Sequence, residues 1–139
     1  MFLFPQLFPM RHRRYLRLAE TYAYKSNYER WPVGAVLVRG GSVLTGASND
    51  LRNPADITGV PFEQCSLHAE MAVLKKTKNV VGSTIYVARV LRTGSVGLAK
   101  PCSRCQKELM VSGVRQAVWT IDTHSYGITN IKDFGNEYN

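Results

Sequence analysis

Two short segments of the chain contain side chains that together can bind a metal ion and move protons. They are His68-Ala69-Glu70 and, further along, Pro101-Cys102-Ser103-Arg104-Cys105. One imidazole and two thiols supply three ligands of a tetrahedral zinc ion and leave the fourth position open for water. A carboxylate close to the imidazole can take protons from that water and return them. The pattern predicts zinc as the cofactor, His68, Cys102 and Cys105 as its ligands, and Glu70 as the catalytic acid and base.

The spacing of these residues predicts where they lie on helices. Cys102 and Cys105 are neighbours on a helix surface, and in a first turn the unpaired N–H groups and the helix dipole stabilise a thiolate. His68 and Glu70 would diverge by roughly 200° inside a helix of 3.6 residues per turn. The His-x-Glu pair therefore predicts a helix start, with the metal lying beyond the end of the helix.

A closed, purely structural zinc site is the alternative for the same ligands. It needs a fourth ligand, and Cys65 is the remaining cysteine. That alternative leaves Glu70 unexplained, so the open site is favoured and Cys65 is expected to be a buried thiol beneath it. His12 and His124 have no partners at ligand spacing, and we expect both at the surface.

The composition indicates one ordinary globular domain spanning residues 1–139, with 45% hydrophobic and 20% charged residues. An odd number of cysteines, two of them at ligand spacing, argues against a disulfide framework and favours a reducing, cytoplasmic compartment. Met1–Met10 is apolar, but it is too short for a membrane span and lacks the basic start of a signal peptide. We therefore expect no membrane association.

The chain is basic, with 18 Lys and Arg against 10 Asp and Glu and a formal charge of +8. Four arginines fall within Arg11–Arg17, and a second basic group extends from Arg89 to Lys107. This balance suits nucleotide phosphates or a polynucleotide. A solvated basic surface explains it equally well.

Apolar periodicity and turn residues predict an order of helix, β-hairpin, helix, strand, helix, strand. The predicted elements are a helix over Arg11–Asn27, strands over Val33–Val38 and Val43–Ala47 joined at Gly40-Gly41, a helix from His68 to about Lys78, a strand over Thr84–Leu91, a helix from Pro101 to Gly113 and a strand over Val114–Ile121. Asn49–Cys65 and Thr93–Lys100 are predicted loops, and Asp122–Asn139 has no clear assignment. Two strand–helix–strand units imply parallel neighbours in a mixed sheet covered by helices.

The chain resembles the cytidine/deoxycytidylate deaminase superfamily, in particular its deoxycytidylate-deaminase-like members, over about residues 30–121. Besides the two metal segments, which match the His-x-Glu and Pro-Cys-x-x-Cys signature of zinc nucleobase deaminases, the resemblance rests on Val33-Gly34-Ala35-Val36 and Gly46-Ala47-Ser48-Asn49. It implies a three-layer α/β fold with an N-terminal hairpin. It also implies hydrolytic deamination of cytosine to uracil.

The resemblance further implies that Asn49 binds the substrate sugar and that the Ala69 backbone N–H contacts the base carbonyl. Arg52, Lys100 and Arg104 lie on segments that should surround the zinc and are candidates for binding a phosphate. Two departures from the family pattern concern the substrate: residues 91–100 intervene before the Pro-Cys segment, and no obvious fifth strand and helix follow Asp122.

We therefore expect the substrate to be a free pyrimidine nucleotide such as deoxycytidylate. The first alternative is cytosine or adenine within DNA or RNA, and an alternative of another class is a non-catalytic zinc module that binds nucleic acid. Trp31 and Trp119 are expected to be core or interface anchors. A homo-oligomer is expected, with Trp119 and Tyr126 supplying apolar surface; Tyr126 stacking on a base is the less favoured alternative.

Overall fold

The computed structural model describes residues 2–3, 10–28, 30–51 and 66–136. Its elements, in chain order, are β1 (Phe2–Leu3), α1 (Met10–Tyr24), β2 (Val33–Arg39), β3 (Ser42–Ser48), β4 (Asp50–Leu51), β5 (Ser66–Leu67), α2 (Ala69–Lys76), β6 (Thr84–Val90), β7 (Val96–Gly97), α3 (Ser103–Ser112), β8 (Gln116–Thr120), β9 (Tyr126–Asn130) and a 3-10 helix (Ile131–Asn136). All the helices and long strands predicted from the sequence are present, with ends that differ by a few residues.

The main sheet has the strand order β1-β9-β8-β6-β2-β3, with β7 also paired to β6. Strands β6 and β8 are parallel neighbours, which confirms the prediction for the unit that contains α3. The other unit was predicted wrongly, because β2 lies between β3 and β6 and pairs antiparallel with both. Burial explains the order: β2 is buried along most of its length, whereas β3 begins exposed and suits an edge.

Alternating side chains of the sheet face two different helix layers. Ala35 and Leu37 belong to the core beneath α2 and α3, whereas Val36 and Val38 pack with Leu16 and Ala19 of α1. Successive strand residues point to opposite faces, so the sheet is covered on both sides. This is the predicted three-layer α/β fold.

Helix α1 approaches the sheet most closely at Gly34 of β2. A Cβ atom at this position would lie 2.1 Å from the Ala19 carbonyl oxygen and 2.4 Å from the Ala23 nitrogen. Both contacts are with helix backbone, which cannot rotate away as a side chain can. A glycine is therefore required here for α1 to lie against the sheet.

The segment after Asp122 contains the strand and helical turn that the sequence did not reveal. Strand β9 pairs antiparallel with β8 and includes Gly127, over which the Trp119 ring lies so closely that a Cβ would be 2.4 Å away. Glycine weakens the strand pattern, which explains the omission. Trp119 and Tyr126 are each 1% exposed, so Trp119 is a core residue as expected, but neither ring supplies apolar surface for assembly and Tyr126 does not stack on a base.

The exposed apolar side chains lie elsewhere. Val81, Met110 and Val111 are 63%, 52% and 84% exposed, and Val81 contacts Gly113 at the C-terminal end of α3. Homo-oligomerisation stays a prediction, and this end of α3 now offers the apolar surface for it. None of the described helices is long and apolar enough to cross a membrane.

His124 is exposed as expected, but the surface location expected for His12 is wrong. The ring is 4% exposed, and its Nδ1 lies 2.7 Å from the Tyr86 hydroxyl. Arg11, Arg13 and Arg14 around it are exposed, so the sequence pattern there is that of a solvated helix end. Burial, with a smaller contribution from Arg11, lowers the pKa of His12 to about 4.

Because this pKa is depressed in the folded state, protonation of His12 favours the unfolded chain. The contribution of His12 to stability is complete above its ordinary pKa of about 6.5 and is lost as the pH falls toward 4. We expect the free energy of unfolding of the wild type to fall by about 2 kcal/mol more than that of His12→Asn between pH 7 and pH 4. Urea denaturation at several pH values measures the difference, and parallel pH profiles would contradict the prediction.

Candidate active site

Two helix starts meet at the candidate site, and each contributes its N-cap residue. His68 precedes α2 and Cys102 precedes α3, both with extended backbone (ψ 148° and 166°). Neither side chain makes the cap hydrogen bond that Ser, Thr, Asp or Asn makes at this position, worth about 1 kcal/mol. Pro101 therefore lies before the cap, not in the first helical position that the sequence predicted. The two side chains are directed into the site instead.

His68, Cys102 and Cys105 bring their ligand atoms within 4.8 Å of one another. The Nδ1 atom of His68 is 3.7 Å from the Cys102 sulfur and 3.3 Å from the Cys105 sulfur. Zn–S and Zn–N bonds of about 2.3 and 2.0 Å at a tetrahedral angle place nitrogen and sulfur ligands roughly 3.5 Å apart. The three atoms fit three corners of a zinc tetrahedron, as the sequence predicted.

The pKa values of the three candidate ligands shift in different directions. Hydrogen bonds from the Cys105 thiol and the His68 imidazole lower the pKa of Cys102 to about 3. The same contact with Cys102, together with burial, raises the pKa of Cys105, and the hydrogen bond to Cys102 raises that of His68 despite burial. The lowered pKa of Cys102 favours its thiolate, which is the form that binds zinc.

Glu70 lies in the first turn of α2 and is 5% exposed. Burial raises the pKa of its carboxyl, opposed by hydrogen bonds to its own backbone N–H and to Cys105 and by the nearby His68. A buried carboxyl with a raised pKa beside candidate metal ligands is suited to act as a general acid and base. The geometry thus brings Glu70 to the three ligands, as expected.

A cavity of about 300 Å³ opens on this cluster. Its lining combines two of the candidate metal ligands and the Glu70 carboxyl with aromatic and apolar side chains. The lining residues are Tyr28, Trp31, Val33, Asn49, His68, Ala69, Glu70, Leu98, Ala99, Lys100 and Cys102. Largely apolar walls with a few convergent polar groups are typical of small-molecule sites.

Trp31 lines this cavity and is 48% exposed, so it is not a core residue, and a role as an interface anchor stays a prediction. The Arg89 guanidinium lies 3.4 Å from the centre of the Trp31 ring, which holds the indole in place by a cation–π contact. Sequence reasoning also missed Tyr28. Both aromatic residues lie just before β2, and this position in the sequence was the feature that could have indicated a place in the cavity wall.

Residues 91–100, which depart from the family pattern, fold back on the sheet. Strand β7 pairs antiparallel with β6, and buried Thr120 donates a hydrogen bond to the Gly97 carbonyl at 2.7 Å. The Ala99 N–H donates to the Thr120 carbonyl at 2.9 Å. This short hairpin brings Leu98, Ala99 and Lys100 to the cavity wall.

Asn49, expected to bind the substrate sugar, lies in the lining but is 8% exposed. Its Oδ1 accepts hydrogen bonds from the Val33 N–H at 3.0 Å and from the Ser26 hydroxyl, and its Nδ2 donates to the Trp31 carbonyl at 2.7 Å. The side chain therefore fixes the segment before β2 against the end of β3. Among the described residues, the second Nδ2 hydrogen has no acceptor and can serve a ligand.

Of the other residues expected to contact the substrate, Ala69 and Lys100 line the cavity and Arg104 does not. Ala69, fully buried at the start of α2, lines the cavity. Lys100 also lines it, with its ammonium 5.8 Å from the Trp119 ring centre. Arg104 is exposed in the first turn of α3. Its charge slightly opposes the rise in the pKa of His68 and Cys105 that their contacts with Cys102 cause. Arg52 and Cys65 lie outside the described residues.

The fold and cluster define a class: a three-layer α/β protein with a His-Cys-Cys metal site and a buried carboxylate. Residues 9–121 match the family model described as the cytidine and deoxycytidylate deaminase zinc-binding region. The chain belongs to this family of zinc-dependent hydrolytic deaminases. No curated protein sequence matches it significantly.

Solved structures share the fold at low sequence identity. The dCMP deaminase of cyanophage S-TIM5 in its apo form matches with a TM-score of 0.62 and 24% identity, over 83% of this chain and 86% of that one. A cytidine deaminase from Mycobacterium leprae matches with a TM-score of 0.58 and 19% identity, over 87% and 93%. A structure from a study of tRNA:A34 deaminases matches with a TM-score of 0.50 and 23% identity, over 77% and 74%.

We propose that His68, Cys102 and Cys105 hold the zinc, and the three cysteines provide a matched test. Cys102→Ser and Cys105→Ser are each expected to lower the zinc content from one per chain to a small fraction, because a neutral hydroxyl replaces a thiolate. Cys65→Ser should keep one zinc per chain, measured by atomic emission after dialysis. Loss of zinc in Cys65→Ser would instead indicate a closed, four-ligand site.

Proposed function

We propose that the protein catalyses zinc-dependent hydrolytic deamination of cytosine to uracil in a free pyrimidine nucleotide, with deoxycytidylate as the first candidate. The observation that carries the proposal is the buried carboxyl of Glu70, which lines the same cavity as His68 and Cys102, the two residues whose ligand atoms group with that of Cys105. A metal site with an open position and an adjacent proton carrier is what hydrolytic deamination requires.

Glu70 moves the protons of the reaction. Zinc, when bound by the three ligands, supplies Lewis-acid activation of a water molecule. Glu70 takes a proton from the attacking water and gives it to the ring nitrogen, while the water oxygen bonds to the carbon that bears the amino group. It then transfers the second proton to that amino group, the C–N bond breaks, and ammonia leaves.

The walls of the cavity offer groups suited to a base and its sugar. Trp31 offers a ring fixed by Arg89, and Ala69 places the first-turn N–H groups of α2 next to Glu70. These N–H groups have no partner within the helix, and one of them is suited to the base carbonyl. Asn49, with one Nδ2 hydrogen remaining, is suited to a sugar hydroxyl at the opposite wall.

A monophosphate requires only one or two cations, and Lys100 lines the cavity while Arg104 begins the adjacent helix. We propose these two side chains, together with Arg52, as the phosphate-binding groups. The similar fold of the cyanophage S-TIM5 enzyme, whose structure was determined in complex with dCMP and dUMP (TM-score 0.59), supports a nucleotide of this size.

A target base within a polynucleotide is the second candidate. It is favoured by two aromatic residues in the cavity lining, the exposed Trp31 and the half-buried Tyr28, since accessible rings stack on successive bases. The net charge of +8 is compatible with a phosphate backbone. Lys100 in the cavity lining favours the free nucleotide.

Glu70→Gln tests the catalytic assignment. We expect this variant to keep its zinc and its fold and to lose ammonia release by 10²–10⁴-fold, the usual contribution of a positioned acid and base. Glu108→Gln is the matched control, because Glu108 is exposed on α3 and outside the cavity lining, and its turnover should equal that of the wild type. Unchanged turnover in Glu70→Gln would exclude Glu70 from proton transfer.

Lys100→Gln tests the substrate. With deoxycytidylate we expect KM to rise about tenfold with little change in kcat, because a charge-assisted contact to the phosphate is lost. With deoxycytidine the KM of the variant and of the wild type should agree. Lys107→Gln, the same substitution at an exposed site on α3, serves as the control and should leave both values unchanged.

The same protein is then incubated with nucleosides, mono- and triphosphates, single- and double-stranded DNA, and RNA, and the products are identified by mass spectrometry. Deamination of oligonucleotides without deamination of any free nucleotide would replace the first candidate with the second. Equal KM values of Lys100→Gln and wild type for deoxycytidylate would remove Lys100 from phosphate binding.

A further inference from the structure

A second cavity, also of about 300 Å³, lies on the opposite face of the sheet. It is formed under the start of α1, at the C-terminal end of β2 and the N-terminal ends of β6 and β8. Its lining, which includes Arg11, Arg39 and Arg115, shares no residue with that of the cavity at the metal cluster. We call it the arginine cavity.

The arginine cavity gathers positive charge without a counter-charge of its own. Arg11 lies on α1, Arg39 ends β2 and Arg115 directly precedes β8, and none of the described residues that line the cavity is acidic. Like charges held together repel one another unless an anion lies between them. In a chain that carries 10 acidic residues, an arginine cluster without a carboxylate is a feature that needs an explanation.

Two of the guanidinium groups act on the same buried atom. Burial raises the pKa of the Tyr86 hydroxyl to about 12, and Arg11 and Arg115 both oppose this rise. Tyr86 is 2% exposed and is paired with His12, so this pair forms the floor of the cavity. Arg11 and Arg115 therefore line the same cavity as this neutral, hydrogen-bonded pair.

The third guanidinium group is held in a fixed position. Nη1 of Arg39 donates to the carbonyl oxygens of Asn79 and Val81, each at 3.2 Å. Both bonds use Nη1, so they leave the Nε and Nη2 edge available for a further acceptor. A fixed guanidinium loses little conformational entropy on binding, and its planar fork matches the oxygens of a phosphate group.

We propose that the arginine cavity binds a phosphate-bearing small molecule, with a di- or triphosphate preferred to a single phosphate. Three cations that line one cavity match several negative charges concentrated in one place. A polynucleotide strand instead spreads single charges along its length. The volume, equal to that of the cavity at the metal cluster, exceeds what one phosphate fills.

The test uses the zinc-loaded full chain and isothermal titration calorimetry with inorganic phosphate, pyrophosphate, tripolyphosphate and a ten-residue oligothymidylate. We expect affinity to increase from phosphate to tripolyphosphate. Arg11→Gln, Arg39→Gln and Arg115→Gln should each weaken tripolyphosphate binding about tenfold or more, because each removes a charge-assisted hydrogen bond. Arg14→Gln is the matched control, with the same loss of charge at an exposed position of α1, and should bind as the wild type does.

Zinc in solution is measured during each titration, because polyphosphates chelate metals, and thermal unfolding without ligand verifies that each variant folds. Equal weakening in all four variants would indicate a response to net charge and would overturn the proposal. Binding that is accompanied by zinc release and is unaffected by the arginine substitutions would also overturn it. The same holds if the oligothymidylate binds in an arginine-dependent way while tripolyphosphate does not.

Discussion

The candidate active site depends on one constraint: the N-terminal ends of α2 and α3 must meet at a single point. Each helix gives up the ordinary use of its N-cap side chain, since His68 and Cys102 make no cap hydrogen bond. The first-turn N–H groups have no partner within their own helices, and those of Glu70 and Cys105 instead stabilise negative charge on the Glu70 carboxyl and on the Cys102 sulfur. The cost of roughly 1 kcal/mol for each missing cap is offset when the ligands bind a metal. Each helix start is therefore less stable by itself, and its N-cap side chain is available to bind a metal ion.

The sheet makes this meeting possible through the position of β6. Helix α2 leads into β6 and α3 leads out of it, and the parallel pairing of β6 with β8 places both helices on one face. Pairing of β6 with β2 on its other side brings Val33 opposite Arg89, which places the Trp31 segment at the rim of the cavity. The antiparallel hairpin thus supplies one wall and the parallel unit supplies the ligands.

The proximity of His68, Cys102, Cys105 and Glu70 and the layer order could be predicted from the sequence because they rest on local rules. A spacing of two or three residues determines whether side chains share a helix end, and the period of apolar residues distinguishes helix from strand. Predictions that require knowledge of a distant partner went wrong. Tyr86, far along the chain, buries His12, and Trp119 imposes a glycine that hid β9. The order of β2 and β3 likewise depended on a distant strand: β2 pairs with β6 as well as with β3 and is buried, whereas β3 lies at the sheet edge.

A core position, one of the two expected for Trp31, was wrong for a related reason that bears on function. Large aromatic residues are most often buried, and the sequence offers no sign that Arg89, on a different strand, presents its guanidinium to this ring. The Nε atom of Arg89 is buried without a hydrogen-bond partner among the described residues, a cost of about 1–3 kcal/mol. A fold selected for stability alone would gain from a shorter apolar side chain at this position. Keeping a desolvated arginine beneath a half-exposed indole is consistent with a demand for a rigid ring at the cavity, where a planar base needs a flat surface that does not move.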